Sequence, residues 1–165
     1  MILNILFTLL LVCLNAFFVA AEFAIVTVRI SQIELRIRTG SKLAKIAMNI
    51  ILHLDSYLSA TQLGITLASL GLGWIGESIV AEIIRNIMSL FGLHLTNLLS
   101  HQIALPVAFL TITILQIIFG ELLPKWIAIQ RPEKLSLTLS IPLKIFYYIF
   151  RPFIWVLNKL ANVLI

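Results

Sequence analysis

Apolar side chains run through this chain in long blocks rather than in the short alternations of a soluble fold. A helix crossing a bilayer core needs roughly 20 mostly apolar residues, and three blocks meet that length. They are 1–28, which carries one charge at Glu22; 57–81, dotted with Ser, Thr, Gly and Gln; and 103–129, apolar up to Gly120-Glu121 and broken by Pro124. A fourth block, 135–165, is interrupted by Lys144, Arg151 and Lys159 and by Pro142 and Pro152. Basic residues at every seventh or eighth position give it a wet edge, so it predicts a pair of interfacial helices along the membrane surface; a fourth span is the competing reading. The 31–52 stretch predicts short amphipathic helices, with Ser31-Gln32-Ile33-Glu34 as a candidate cap and Asp55-Ser56 as a cap for the second span. The expected fold is an all-α membrane domain of three spanning helices plus amphipathic juxtamembrane helices.

Composition sharpens this picture. The chain has 165 residues, 61% of them apolar and 12% charged, and a mean hydropathy of +1.08. So apolar a soluble globule would expose large greasy patches. The net charge of +5 arises from Lys and Arg at segment ends rather than from a dense basic patch, which argues against a nucleic-acid partner. Cys13 is the single cysteine, so there is no disulfide framework. Arg29, Arg36, Arg38, Lys42 and Lys45 lie between the first two spans, only Arg85 between the second and third, and six basic residues after the third. The positive-inside rule then puts the N-terminus and the 82–101 loop outside, and the C-terminal region in the cytoplasm. The apolar run at the start lacks a basic n-region and continues past Ala21, which argues against a cleaved signal peptide. Walker A, His-Glu-x-x-His and glycine-flanked serine motifs are absent, so the sequence predicts no enzyme.

Polar groups at membrane depth carry the candidate chemistry, because each charge there costs at least ~2.5 kcal/mol on insertion scales. Asn15, Glu22 and Arg29 stand at seven-residue spacing, which predicts one helix face and makes Asn15 and Glu22 candidates to line a cavity. Along the second span Ser59, Gln62, Thr66, Ser69, Gly73 and Gly76 form a polar stripe at three- and four-residue steps. Ala60, Gly64 and Ala68 form a small stripe that predicts close helix packing. In the third span Pro124 has no N–H to give the carbonyl of Gly120. A freed carbonyl beside the Glu121 carboxylate, with hydroxyls from a neighbouring helix, makes a set of hard oxygen donors suited to Mg²⁺, Ca²⁺ or Na⁺. His53, His94 and His101 lack ligand spacing and read as surface residues.

Three runs carry a family resemblance: 15–24 (Asn15 through Glu22 to Ala24), 58–66 (Leu58-Ser59-Ala60-Thr61-Gln62-Leu63-Gly64-Ile65-Thr66) and Gly120-Glu121-Leu122-Leu123-Pro124-Lys125. Together with Gln130-Arg131-Pro132-Glu133 they resemble the transmembrane domain of the CorC/CNNM (cyclin M, hemolysin C-like) family over essentially the whole chain. The resemblance implies a homodimer in the cell membrane that transports Mg²⁺, as export coupled to Na⁺ entry. It also implies cytosolic CBS modules that bind ATP-Mg²⁺; these are absent here, so the chain is expected to be one domain of a longer protein. By the same resemblance Glu121 and Gly64 belong to the metal site; from the residues themselves, Gly120 would add a carbonyl and Ser59, Gln62, Thr66 and Ser69 the remaining oxygens, with Thr61 beside the cavity and Ala60 and Ala68 packing the dimer. Better-studied members carry serines near Val19 and Ala21 and two asparagines where Ile65 and Thr66 stand. The alternative is a membrane anchor and dimerisation module that relays the state of nucleotide-sensing domains without transporting.

Overall fold

The computed structural model describes residues 2–90, 106 and 109–164, with side chains for 6–74, 106 and 109–160. Among these residues the chain forms helices and turns only: α1 (Ile2–Thr27), α2 (Ile30–Arg38), α3 (Lys42–Leu52), α4 (Leu54–Leu90), α5 (Phe109–Gln130) and α6 (Pro132–Leu164). His94, His101 and most of the expected 82–101 outer loop lie outside the described residues. Helix α4 nevertheless continues to Leu90, well past the expected end of the span at 81.

Local chemistry sets the turns. Gly40 has φ of 88° and follows α2, where its N–H bonds to Ile37 O and the Ser41 N–H to Arg36 O. This is the Schellman arrangement, which only a residue free of Cβ strain adopts cheaply. Ser41 then caps α3, its Oγ accepting from Ala44 N at 3.3 Å. The caps expected at Ser31 and Asp55 do not form: α2 starts at Ile30 after Arg29, with no side-chain cap, and α4 starts at Leu54. Arg29 therefore lies in the break after α1, not on the face it was expected to share with Asn15 and Glu22. Between α5 and α6, Arg131 precedes a proline and leaves the helical region (φ −133°, ψ 55°), while Pro132 opens α6.

Helix α1 is the axis of the bundle. Helix α4 runs antiparallel to it: Thr61 lies opposite Glu22, Gly64 opposite Phe18, Ser69 opposite Asn15 and Gly71 opposite Leu11. Helix α5 runs parallel, with Gly120 opposite Asn15 and Lys125 Nζ 4.6 Å from the Phe23 ring centroid. On α5 Gly120, Pro124 and Ala128, at four-residue steps, are buried and Ile112, Thr113, Gln116 and Lys125 half-buried; most of the rest of that helix is an exposed apolar face.

Helix α6 corrects one expectation and bears on another. It is one continuous helix through Pro142 and Pro152, not a helix pair. Its buried stripe, Ser136, Ser140, Leu143 and Ile154, is gripped along one face, and both prolines lie on the exposed side. By length and composition α6 (Pro132–Leu160) joins α1 (Leu6–Thr27) and α5 as helices able to cross a membrane, whereas the polar α4 does not reach that threshold among the described residues. Geometry points elsewhere. From Tyr147 to Asn158 α6 advances about 16 Å, yet its partners on α4 stay between Tyr57 and Leu63, a rise of about 9 Å. Helix α6 therefore cuts across the α1–α4 pair, while α4 follows α1 lengthwise.

The small stripe of α4 is spent inside the protomer. Ala60 and Ala68 are 0% and 4% exposed, and Ala60 packs with Leu63 against Ile154 of α6. Both are thus already covered within one protomer. The Phe18 ring lies over Gly64, where an added Cβ would come within 2.6 Å of it. That ring cannot swing away, because Phe17 and Phe146 pack against it edge-on at 4.9 and 4.6 Å. Gly64→Ala is expected to cost about 1–3 kcal/mol through overpacking. Gly73→Ala, which meets nothing within 4 Å, should leave stability unchanged or raise it by up to about 1 kcal/mol. Thermal unfolding of the two variants in detergent checks the contrast. Where α2 meets the start of α6, Arg36 Nε donates to Glu133 Oε1 at 2.6 Å. This pair is half-exposed, so Glu133→Gln should lower stability by no more than about 1 kcal/mol in the same assay.

Candidate ion site

The backbone of α5 departs from α-helical pairing where the sequence predicted a freed carbonyl. Gln116–Leu122 is a π-helical turn, and the Leu123 N–H bonds to Ile118 O, five residues back. Pro124 cannot donate to Gly120 O, and that oxygen is taken up from outside the helix by Asn15 Nδ2 at 3.1 Å. Glycine is needed at this contact, since a Cβ at 120 would stand 2.9 Å from the same nitrogen.

Asn15, 4% exposed, is the hub of a buried knot that ties three helices together. Its Oδ1 accepts from Ser69 Oγ of α4 at 3.3 Å, and Ser69 Oγ accepts from Gln116 Nε2 of α5 at 3.0 Å. Every buried side-chain polar atom among the described residues has a partner, as desolvation demands. Glu121 lies outside the knot: it follows Gly120 but is exposed on the uncovered face of α5. Lys125, a candidate partner, points instead to Phe23.

A second polar group lies toward the other end of α1. Glu22 has the Thr61 hydroxyl within hydrogen-bonding reach, and Ser59 Oγ is 2.6 Å from Asn158 Oδ1 of α6. Glu22, Ser59, Gln62, Thr66 and Asn158 line a cavity of about 700 Å³, with Phe153 and Leu157 on its apolar wall. Thr61 itself is fully buried and also bonds Leu58 O at 2.9 Å.

The single oxygen cluster expected from sequence is thus two clusters in one protomer. Ser69 and Gly120 join Asn15 in the knot; Ser59, Gln62 and Thr66 join Glu22 at the cavity; Glu121 touches neither, and Gly64 is covered by Phe18. Among the described residues no three His, Cys, Asp or Glu side chains stand together, so any ion would rest largely on neutral oxygens. Gln116 and Asn158 went unnoticed in the sequence. Gln116 is a lone amide inside an apolar run (Ile114 to Ile118) and Asn158 directly follows one (Phe153 to Leu157); an amide withdrawn from water in such surroundings needs a partner.

The profile described as "Cyclin M transmembrane N-terminal domain" matches residues 5–165. The chain belongs to this family. Among relatives, the cyclin M-type domain here is 47% identical to the UPF0053 protein YrkA of Bacillus subtilis over 161 residues, 98% of this chain and 36% of the relative. It is 47% identical to YhdT of the same organism over 154 residues (93% of the chain, 33% of the relative). It is 33% identical to the uncharacterized protein Rv1841c of Mycobacterium tuberculosis over 161 residues (98% and 45%). The chain thus spans a third to under half the length of these relatives.

Proposed function

We propose that this domain works as a homodimer in the cell membrane and carries Mg²⁺ outward in exchange for Na⁺. In this reading α1, α4 and α5 cross the bilayer, α6 lies along the cytoplasmic surface, and the N-terminus is outside. The antiparallel α1–α4 and parallel α1–α5 pairings support three crossings, and the transverse course of α6 supports its surface place. The basic 29–45 segment and the start of α6 meet at one end of the bundle through Val28, Ile33, Ala44 and Leu137, as a shared cytoplasmic side requires.

The observation that carries the reading is the π-turn with Glu121 in it. Irregular backbone at membrane depth is tolerated where it lines protein or a cavity, and a lipid-facing carboxylate is costly. A second copy seated on the exposed face of α5 would cover Glu121 and complete a site. Mg²⁺ gives up water reluctantly, so a site of few protein oxygens suits a partly hydrated ion. The cavity at Glu22 would serve as its cytoplasmic approach.

The test is Mg²⁺ flux in proteoliposomes with and without a Na⁺ gradient. Na⁺-dependent flux is the expected result, and Na⁺-insensitive flux would leave transport and remove the exchange. One observation favours the second reading, a non-transporting anchor: the groups of the knot satisfy one another without an ion. An anchor predicts no flux and a thermal unfolding temperature indifferent to Mg²⁺.

A further inference from the structure

Helix α6 carries a row of side chains that neither the bundle nor the ion site uses. Lys144, Tyr148, Arg151, Trp155 and Lys159 follow at steps of four, three, four and four residues, so cations and aromatics alternate along one flank. Tyr148 and Trp155 are 57% and 61% exposed. Lys144 Nζ lies 5.9 Å from the Tyr148 ring centroid and Lys159 Nζ 4.9 Å from that of Trp155. The core-facing stripe through Leu143 and Ile154 runs beside this flank, and beyond it Ile149, Phe153, Val156 and Leu160 expose an apolar flank. Residues 134–164 of α6 include no acidic side chain, and Glu133 in its first turn is paired with Arg36.

We infer that this flank binds a row of anionic phospholipid headgroups, with the rings at the headgroup–acyl boundary and the three cations on lipid phosphates. Charge complementarity and ring chemistry name the occupant. Amphipathic Tyr and Trp prefer the headgroup level, and an interfacial helix with basic residues on its polar side favours anionic lipid. Neighbouring cations stand about 10–12 Å apart along the axis, too far to share one phosphate, so several lipids are engaged. The inference rests on the surface placement of α6 and is independent of whether the domain transports.

The test leaves Trp155 as the single tryptophan, through Trp74→Phe and Trp126→Phe, and reconstitutes the chain in phosphatidylcholine vesicles containing a minority of phosphatidylglycerol. Bromine is carried either by the phosphatidylglycerol or by the phosphatidylcholine, at shallow or deep acyl positions. Shallow-brominated phosphatidylglycerol should quench Trp155 well beyond its share of the bilayer. In Lys144→Gln/Arg151→Gln/Lys159→Gln the excess should fall by roughly five-fold per cation removed, and Lys144→Arg/Lys159→Arg should keep it. Shallow quenching in simple proportion to composition, or an excess untouched by the triple variant, overturns the lipid preference while the surface placement stands. Strongest quenching by the deep bromine label overturns the placement, and the proposal with it, by making α6 a span.

Discussion

Glu121→Gln is expected to abolish Mg²⁺ flux into proteoliposomes while the protein still inserts and dimerises. Within one protomer the side chain is exposed and outside the knot, so its replacement by an isosteric amide removes a charge and disturbs no packing of the bundle. Neutralising a carboxylate at membrane depth relieves a cost of at least ~2.5 kcal/mol on insertion scales, so the variant should be as stable as the parent or more stable. The two signs together are diagnostic. A structural glutamate would lose stability along with flux; an ion-binding one loses flux alone. Flux measured at the parental rate in Glu121→Gln would remove this residue from the ion path.

Asn15→Leu should be the most destabilising single change at the knot, costing about 2–4 kcal/mol. Leucine nearly matches the volume but withdraws the donor to Gly120 O and the acceptor of Ser69, and each stranded buried group costs about 1–3 kcal/mol. The cause can be isolated with Pro124→Ala. An alanine at 124 has an N–H that can close the ordinary helical bond to Gly120 O, so the carbonyl would no longer depend on α1. In that background the cost of Asn15→Leu should shrink by about 1 kcal/mol or more. Equal costs in both backgrounds, read from unfolding midpoints, would show that the proline and the asparagine are not linked through that oxygen.

Part of this arrangement was legible one residue at a time. That Gly120 O loses the ordinary helical donor follows from Pro124 four residues on, because the constraint is local and covalent. Which group would answer it could not follow: the Asn15 amide arrives from 105 residues away, through a helix register that sequence spacing does not contain. The stripe on α4 is polar in the sequence itself, but one stripe of a long helix passes several neighbours in turn. Its upper part, at Ser69, meets α5; its lower part, at Ser59, meets α6. One stripe in sequence thus serves two places in the protomer. The small stripe shows the same limit, since Ala60, Gly64 and Ala68 announce a close approach without naming the partner; within the protomer Ala60 meets Ile154 and Gly64 meets Phe18.

The amino-acid order alone determined the class of this molecule. Long apolar blocks dictate a membrane-embedded helical domain, because an unpaired backbone group in lipid costs several kcal/mol and helices satisfy theirs within one segment. It also determined where charge and irregularity would concentrate, at Glu22, Gly120-Glu121 and Pro124, since those are properties of single residues in apolar surroundings. Only the tertiary structure decided the pairings: Asn15 with Gly120, Glu22 with Thr61, Ser59 with Asn158, and α6 as one unbroken helix laid across the bundle. Those depend on how helices rotate and slide against one another. In a chain this apolar many faces are greasy enough to pack, so the hydrophobic pattern cannot select among them. The choice falls to close fits such as Phe18 over Gly64 and to the few polar groups that must find one another.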